Sequence, residues 1–181
     1  MGKHLIIGIS GKPHAGKDTV ASMIEKEFPG IYRINFSAAI TKEYDANHGT
    51  RTSVDEQEKD RHRAGISDLA HKRRLEDPEY WVKRTLVDDR PLLVAGVRAV
   101  AEADAVKRTD GFLVRVVVSE ATLRQRMGQH YDRDINHVVE NHLNDYTDWD
   151  YIIHNDGTLE DLEEAVKKVA KQIKNEYAHR N

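Results

Sequence analysis

Residues Gly11 to Thr19 read G-K-P-H-A-G-K-D-T, with the apolar run Leu5 to Ile9 before them and a helical pattern from Lys17 after them. A strand that turns through glycines into a helix presents unpaired backbone N–H groups and the positive end of the helix dipole to an anion. Gly11 and Gly16 let the backbone wrap close to phosphate oxygens with no Cβ in the way, and Lys17 brings a mobile charge to the β and γ phosphates of a nucleoside triphosphate. Lys12, His14 and Ala15 complete the cradle. One position departs from the usual spacing. The hydroxyl that normally follows the lysine and holds Mg²⁺ is replaced by Asp18, and a hydroxyl comes one place later as Thr19. The loop therefore predicts ATP as donor, with Asp18 and Thr19 organising Mg²⁺ through water. A plainer role for Asp18 is that of an acidic residue favoured in a helix's first turn.

Phosphoryl transfer leaves a protein little covalent work, so its rate comes from positioning and charge stabilisation, and arginines are the residues to watch. The polar stretch Ala121 to Asn144 reads as helix, loop, helix and makes a lid over residues 124–142. Arg124 and Arg126 are placed there to meet the nucleotide and the transferring phosphoryl, and Arg133 to meet the acceptor; ordinary solvated charge is the alternative, and Asp132 and Asp134 could simply pair with Arg133. Arg98, just past an apolar run, is read as acceptor-binding. Ser37, after the second run, is either an acceptor contact or a helix N-cap. Asn155 is placed near the adenine, although Asn155-Asp156-Gly157 is also a good turn. His137, Glu140 and His142 lack metal-site spacing and are read as solvated.

These residues need a frame. Leu5 to Ile9, Ile31 to Phe36, Leu92 to Val97, Phe112 to Val118 and Tyr151 to Ile153 look like strands, with helical patterns between them. Strands apolar on both faces and separated by helices imply parallel crossovers, hence an α/β, doubly wound, five-stranded parallel sheet with helices on both faces. Residues 37–88 exceed one crossover helix and should hold two or three, forming an acceptor-binding lobe over the strand ends. Leu159 to Tyr177 places Leu159, Leu162, Val166, Val169 and Ile173 at helical spacing. At 181 residues the chain is read as one domain, 1–181. A net charge of −3 gives no footprint of a nucleic-acid binder, and the cluster His71, Lys72, Arg73 and Arg74 is too small a basic patch to change that. There is no cysteine, no apolar run spans a bilayer, and the N-terminus fits neither a secretory signal nor a myristoylation site. The expectation is a cytoplasmic monomer with a small-molecule partner and neither nucleic acid nor membrane.

A phosphate loop alone is shared by GTPases, motor and transport ATPases and small-molecule kinases. The chain has no N-K-x-D and no D-x-x-G motif, against a GTPase, and the run Leu92 to Ala95 ends in Gly96 rather than the aspartate that would hold Mg²⁺ beneath the loop. A short chain with arginines in a lid has the layout of nucleoside monophosphate kinase-like proteins. The match becomes specific at Asn35-Phe36-Ser37, Lys42-Glu43-Tyr44, His48-Gly49, Lys59-Asp60, Arg63, Lys72-Arg73 and Asp77-Pro78, and again at Asp148 to Gly157 and Leu162-Glu163-Glu164. With the unusual G-K-D of the loop, this pattern resembles animal-type phosphomevalonate kinase over most of the chain.

The resemblance implies ATP-dependent phosphorylation of a phosphate monoester, giving a diphosphate and ADP. It also implies that Lys42, Lys59, Arg63 and Arg73 bind the acceptor's phosphate and carboxylate, and that Arg126 is the lid arginine at the transferring phosphoryl. Lys59 and Arg63 are four apart and share a helix face, interleaved with Glu56, Glu58 and Asp60 that could instead neutralise them. Phage-type deoxynucleoside monophosphate kinases share a similar loop, a strand-end V-x-x-V-R like Val94 to Arg98, and an I-x-N-x-G ending; dephospho-coenzyme A kinases share such an ending too. The chain departs from the animal-type pattern at Pro13 and His14, where that family has two basic residues, at Gly96, where it has Asp, and at Ala99, where it has Arg. Lys42 stands one place late. A nucleotide-binding regulatory module without turnover is the alternative from another class.

Overall fold

The computed structural model describes residues 4–87, 89–128 and 143–180. Five strands, β1 (Ile6–Ser10), β2 (Tyr32–Ile34), β3 (Leu92–Ala95), β4 (Phe112–Val117) and β5 (Tyr151–His154), form one sheet in the order β2-β3-β1-β4-β5. Every neighbouring pair is parallel, with Ile7 opposite Leu93 and Phe112 across the centre. The predicted doubly wound five-stranded parallel sheet is the fold of the chain, and the strands end within three residues of the sequence-based limits.

Alternation along the strands divides the core into two layers, because successive side chains of a strand point to opposite faces. Ile7, Ile9, Leu93, Phe112 and Val114 pack against helix α1 (Lys17–Glu27) and helix α8 (Leu159–Arg180). Ile6, Leu92, Val94 and Leu113 face the other way, against α2 (Phe36–His48), α4 (Arg63–Glu76), α5 (Val82–Thr85) and α6 (Val100–Arg108). The predicted stripe of α8 is buried at Leu162, Val166, Val169 and Ile173, whereas Leu159, at the helix start, is 61% exposed. Each of those four contributes about 1.5–3 kcal/mol of burial, enough to hold a helix whose other face is highly charged.

Between β2 and β3 the described residues form four helices, α2, α3 (Glu56–Arg61), α4 and α5, more than the two or three expected. Short capped segments replace longer ones: Asp55 accepts from the N–H groups of Gln57 and Glu58 at 3.0 and 3.1 Å and starts α3 after only a brief turn. That turn is tied by Asp45, whose carboxylate accepts from Thr50 Oγ1, from Thr52 N and Oγ1, and from Ser53 N at 2.7–2.8 Å. Burial works against the charged carboxylate, but the hydrogen bonds from Ser53, Thr50 and Thr52 prevail and hold its pKa well below the usual range. The seventh helix, α7 (Glu120–Met127), follows β4 and is capped by Ser119. Among the described residues no helix is long and apolar enough to cross a membrane.

Candidate active site

The loop after β1 is shaped by backbone that few side chains tolerate. Gly16 has φ +93°, Gly11 has φ +155° and His14 has φ +57°. A Cβ on Gly11 would lie 2.5 Å from the carbonyl oxygen of Val116, and one on Gly16 would lie 2.3 Å from Asn155 Nδ2. Gly16 caps α1 with no side-chain hydrogen bond, so no cap occupies the N–H groups of the first turn, which lack partners inside the helix. An anion seated there meets those N–H groups and the helix dipole together, so the loop fits a phosphate chain. Lys17 Nζ donates to the Lys12 carbonyl of the same loop at 2.7 Å.

Two residues far along the chain brace this loop. Asn155, at the end of β5 and only 7% exposed, donates from Nδ2 to the Ala15 carbonyl at 2.8 Å. Its amide group is thus committed to the loop backbone, the contact that also explains Gly16. Arg126 of α7 donates from Nη2 to the Asn155 carbonyl at 2.9 Å and from Nη1 to the His14 carbonyl at 3.4 Å. It stands beside the loop with its exposed side directed to solvent. Asp156 locks the same corner by accepting from Thr122 Oγ1 at 2.7 Å and Ser119 N at 2.8 Å, bonds that lower its pKa. Arg124, in contrast, is paired with Glu120 on its own helix. Arg133, with the remainder of the 124–142 lid beyond Gly128 and with His137, Glu140 and His142, lies outside the described residues.

Asp18 and Thr19 open α1, both exposed. The Asp18 carboxylate pairs with Arg33 of β2, which also reaches Glu25 at 3.5 Å and Ser22 at 3.3 Å. Sequence reasoning left Arg33 out, since nothing in the local pattern of β2 announces a partner fifteen residues back. Among the described residues no group of three or more His, Asp or Glu side chains is arranged to hold a metal ion. A divalent cation here would be held chiefly by the phosphate oxygens and water, as the exposed Asp18 and Thr19 allow.

Beside the loop a cavity of about 350 Å³ opens between the strand ends and the helices of the 37–88 lobe. Pro13, His14, Gly96 and Arg98 line its loop end. Phe36, Ile40, Ile66 and Ala70 supply an apolar wall, and Ser37, Thr41 and Ser67 a polar one. Lys59 and Arg63 line the cavity too, each paired with a carboxylate one turn away, Glu56 at 3.1 Å and Asp60 at 3.0 Å. Ser37 does not cap α2. Asn35 does, accepting from Ala38 N at 2.7 Å and from Ser37 Oγ at 2.6 Å. Lys42 is exposed on α2 and does not line the cavity.

Arg73 is likewise outside it, bound to Glu43 at 2.8 Å and Glu76 at 3.0 Å; these bonds, that to Glu76 foremost, raise its pKa. Its neighbour Arg74 is the one that reaches in. Arg74, with a side chain 9% exposed, donates from Nη2 to Glu102 Oε1 at 2.7 Å. Glu102 is 1% exposed, and its second oxygen accepts from the backbone N–H groups of Arg98 at 2.8 Å and Ala99 at 3.2 Å. The sequence carries a faint signal of this pair: a glutamate at the third position of a helix otherwise made of alanine, valine and aspartate in its first turns, four residues after Arg98.

The chain is similar to the shikimate kinase from Bacteroides thetaiotaomicron, with a TM-score of 0.58 and 16% identity over 94% of this chain and 98% of that one. A gluconokinase from Sinorhizobium meliloti 1021 matches with a TM-score of 0.52 and 14% identity, covering 99% of this chain and 98% of the other. These likenesses show a common fold, a parallel α/β sheet with helices on both faces. No protein-family model matches the chain, and no curated protein matches it.

Proposed function

We propose that the protein is an ATP-dependent kinase that transfers the γ-phosphoryl of ATP to a small phosphate monoester, giving a diphosphate and ADP. The observation that carries this reading is the adjacency of two sites: the glycine loop braced by Asn155 and Arg126, and a cavity that begins at Pro13 and His14 of that same loop. A donor phosphate in the loop and an acceptor in the cavity would be held end to end, the arrangement that phosphoryl transfer requires. Lys17 neutralises the donor's β and γ phosphates. Arg126 swings from the His14 and Asn155 carbonyls to the transferring group, where such an arginine contributes roughly 10³–10⁵ in rate. Arg98 faces the acceptor at the loop end, with Lys59 and Arg63 further along. Mg²⁺ would be organised at the first turn of α1 by Asp18 and Thr19, where it offsets the negative charge of the phosphates.

Phosphomevalonate is the acceptor that the sequence resemblance points to. A specific observation favours a deoxynucleoside monophosphate instead. Phosphomevalonate is anionic at both ends, yet Lys59 and Arg63 are already matched by Glu56 and Asp60, and Phe36, Ile40, Ile66 and Ala70 offer a wall suited to a base and sugar. ADP formation with phosphomevalonate, each deoxynucleoside monophosphate and dephospho-coenzyme A tests both levels of the proposal. Turnover with one of them is expected. ATP binding with no acceptor-stimulated ADP would leave a regulatory module and refute the kinase.

A further inference from the structure

We infer that Arg33 is a latch on Asp18: it neutralises the metal corner of the loop in the free protein and withdraws to Glu25 when Mg²⁺ and nucleotide are bound. The loop motif assigns no such residue, and the inference rests on the role proposed above for Asp18 toward Mg²⁺. The observation is one guanidinium between two carboxylates. Asp18, Ser22 and Glu25 are four and then three residues apart on α1, so they share a helix face. Arg33 of β2 lies along that face. Its Nη2 donates to Asp18 Oδ1, while Nη1 reaches Ser22 Oγ at 3.3 Å and Glu25 Oε2 at 3.5 Å. Asp18 holds the shorter bond, and Glu25, already within ion-pair distance, supplies a second partner for the same charge.

Exposure decides how firmly the latch holds. The Asp18 side chain is 90% exposed and that of Arg33 27%, so water screens the pair and its release changes an equilibrium by about fivefold at most. A cation that carries two charges and is already held by phosphate oxygens can displace a guanidinium bound that weakly. In the free protein the balance is different. Arg33 cancels the charge of Asp18, so the exposed first turn of α1 offers a lone cation little attraction, and occupancy by Mg²⁺ becomes tied to occupancy by nucleotide. Arg33 acts on the metal through Asp18 and is therefore a positioning residue. Glu25, 37% exposed, keeps the displaced guanidinium paired on α1 and away from the phosphates.

The test is calorimetry on the intact protein with a non-hydrolysable ATP analogue, with and without Mg²⁺; the ratio of the two Kd values measures how far the metal tightens binding. Arg33→Met should raise that ratio by about two- to fivefold, and Arg33→Lys, which keeps the charge but loses the fork, by less. With Asp18→Asn in place the effect of Arg33→Met should vanish. Glu25→Gln should lower the ratio by about twofold on its own and leave it unchanged beside Arg33→Met, the coupling that a double-mutant cycle isolates. A plain staple between β2 and α1 would instead lower the Tm of Arg33→Met and leave the ratio in place. No tightening by Mg²⁺ in the wild type, or an unchanged or smaller ratio in Arg33→Met, overturns the latch. So does an equal rise in the Asp18→Asn background, which would be repulsion through space. The latch and the kinase fail separately. ADP formation with a monophosphate and a ratio indifferent to Arg33 sinks the latch and spares the kinase; an Arg33-dependent ratio without phosphoryl transfer does the reverse.

Discussion

The two halves of the proposed kinase site are built in opposite ways. The donor side is nine consecutive residues whose backbone does most of the work, braced from outside by Asn155 and Arg126 through carbonyl oxygens at Ala15 and His14. The acceptor side has no such contiguous core. It gathers Phe36 from α2, Arg63 and Arg74 from α4, and Arg98 from the turn before α6, and most of its charges are balanced against each other. A loop that binds through backbone N–H groups serves any triphosphate, while a cavity of balanced side-chain charges discriminates by which pair an incoming ligand can displace or complete. The difference locates generality on one side and selectivity on the other.

Substitutions on the donor side should therefore damage turnover whatever the acceptor. Lys17→Ala is expected to have the largest effect, a fall of at least about 10² in kcat with folding intact, read by ADP release and circular dichroism. Arg126→Ala should follow, with a similar loss in kcat; a change confined to the KM for ATP would mean that its bonds to the loop are its whole contribution. Asn155→Ala leaves the buried Ala15 carbonyl without its donor, so a loss of about 1–3 kcal/mol in stability and a weaker ATP affinity are expected from denaturant unfolding and titration. On the acceptor side Arg63→Ala should raise the acceptor's Kd while ATP affinity stays nearly constant, and equal weakening of both ligands would erase the contrast between the halves.

The smallest effect concerns pH. The Asp45 carboxyl is held below its unfolded value by its hydrogen bonds, so the stability it gives the lobe is present above the ordinary carboxylate pKa and is lost as pH falls through the folded one. Asp45→Asn should thus narrow the difference in Tm between pH 6 and pH 3, and an unchanged pH profile would show that the turn from Thr50 to Ser53 stands without the charge.

Legibility followed the same divide. The strands, their parallel direction and the glycine loop could be read because each depends on local pattern: apolar runs with helices between them, and glycines at fixed spacing before a lysine. The sequence suggested Asn155 for a place near the adenine, whereas its commitment to Ala15 depends on β5 lying beside the loop, which no local rule supplies. The acceptor side was harder. Resemblance pointed to Arg73, but helix α4 turns Arg73 toward Glu43 and Arg74 toward Glu102, and adjacent helical residues differ by about 100° in direction. Which of the two reaches the cavity depends on where α6 packs. Asp18 presented the same difficulty, since its ion pair with Arg33 requires α1 and β2 to be neighbours. Local chemistry named the residue types; tertiary packing chose their partners.

In the proposed reaction a phosphoryl group passes from ATP to a monophosphate held at the end of the loop. Phosphorus NMR of the protein with Mg·ATP and each candidate monophosphate follows that event directly. One acceptor is expected to acquire a diphosphate signal as the γ signal of ATP declines, in step with ADP. Consumption of ATP to free phosphate alone, or no consumption with every acceptor, would contradict it.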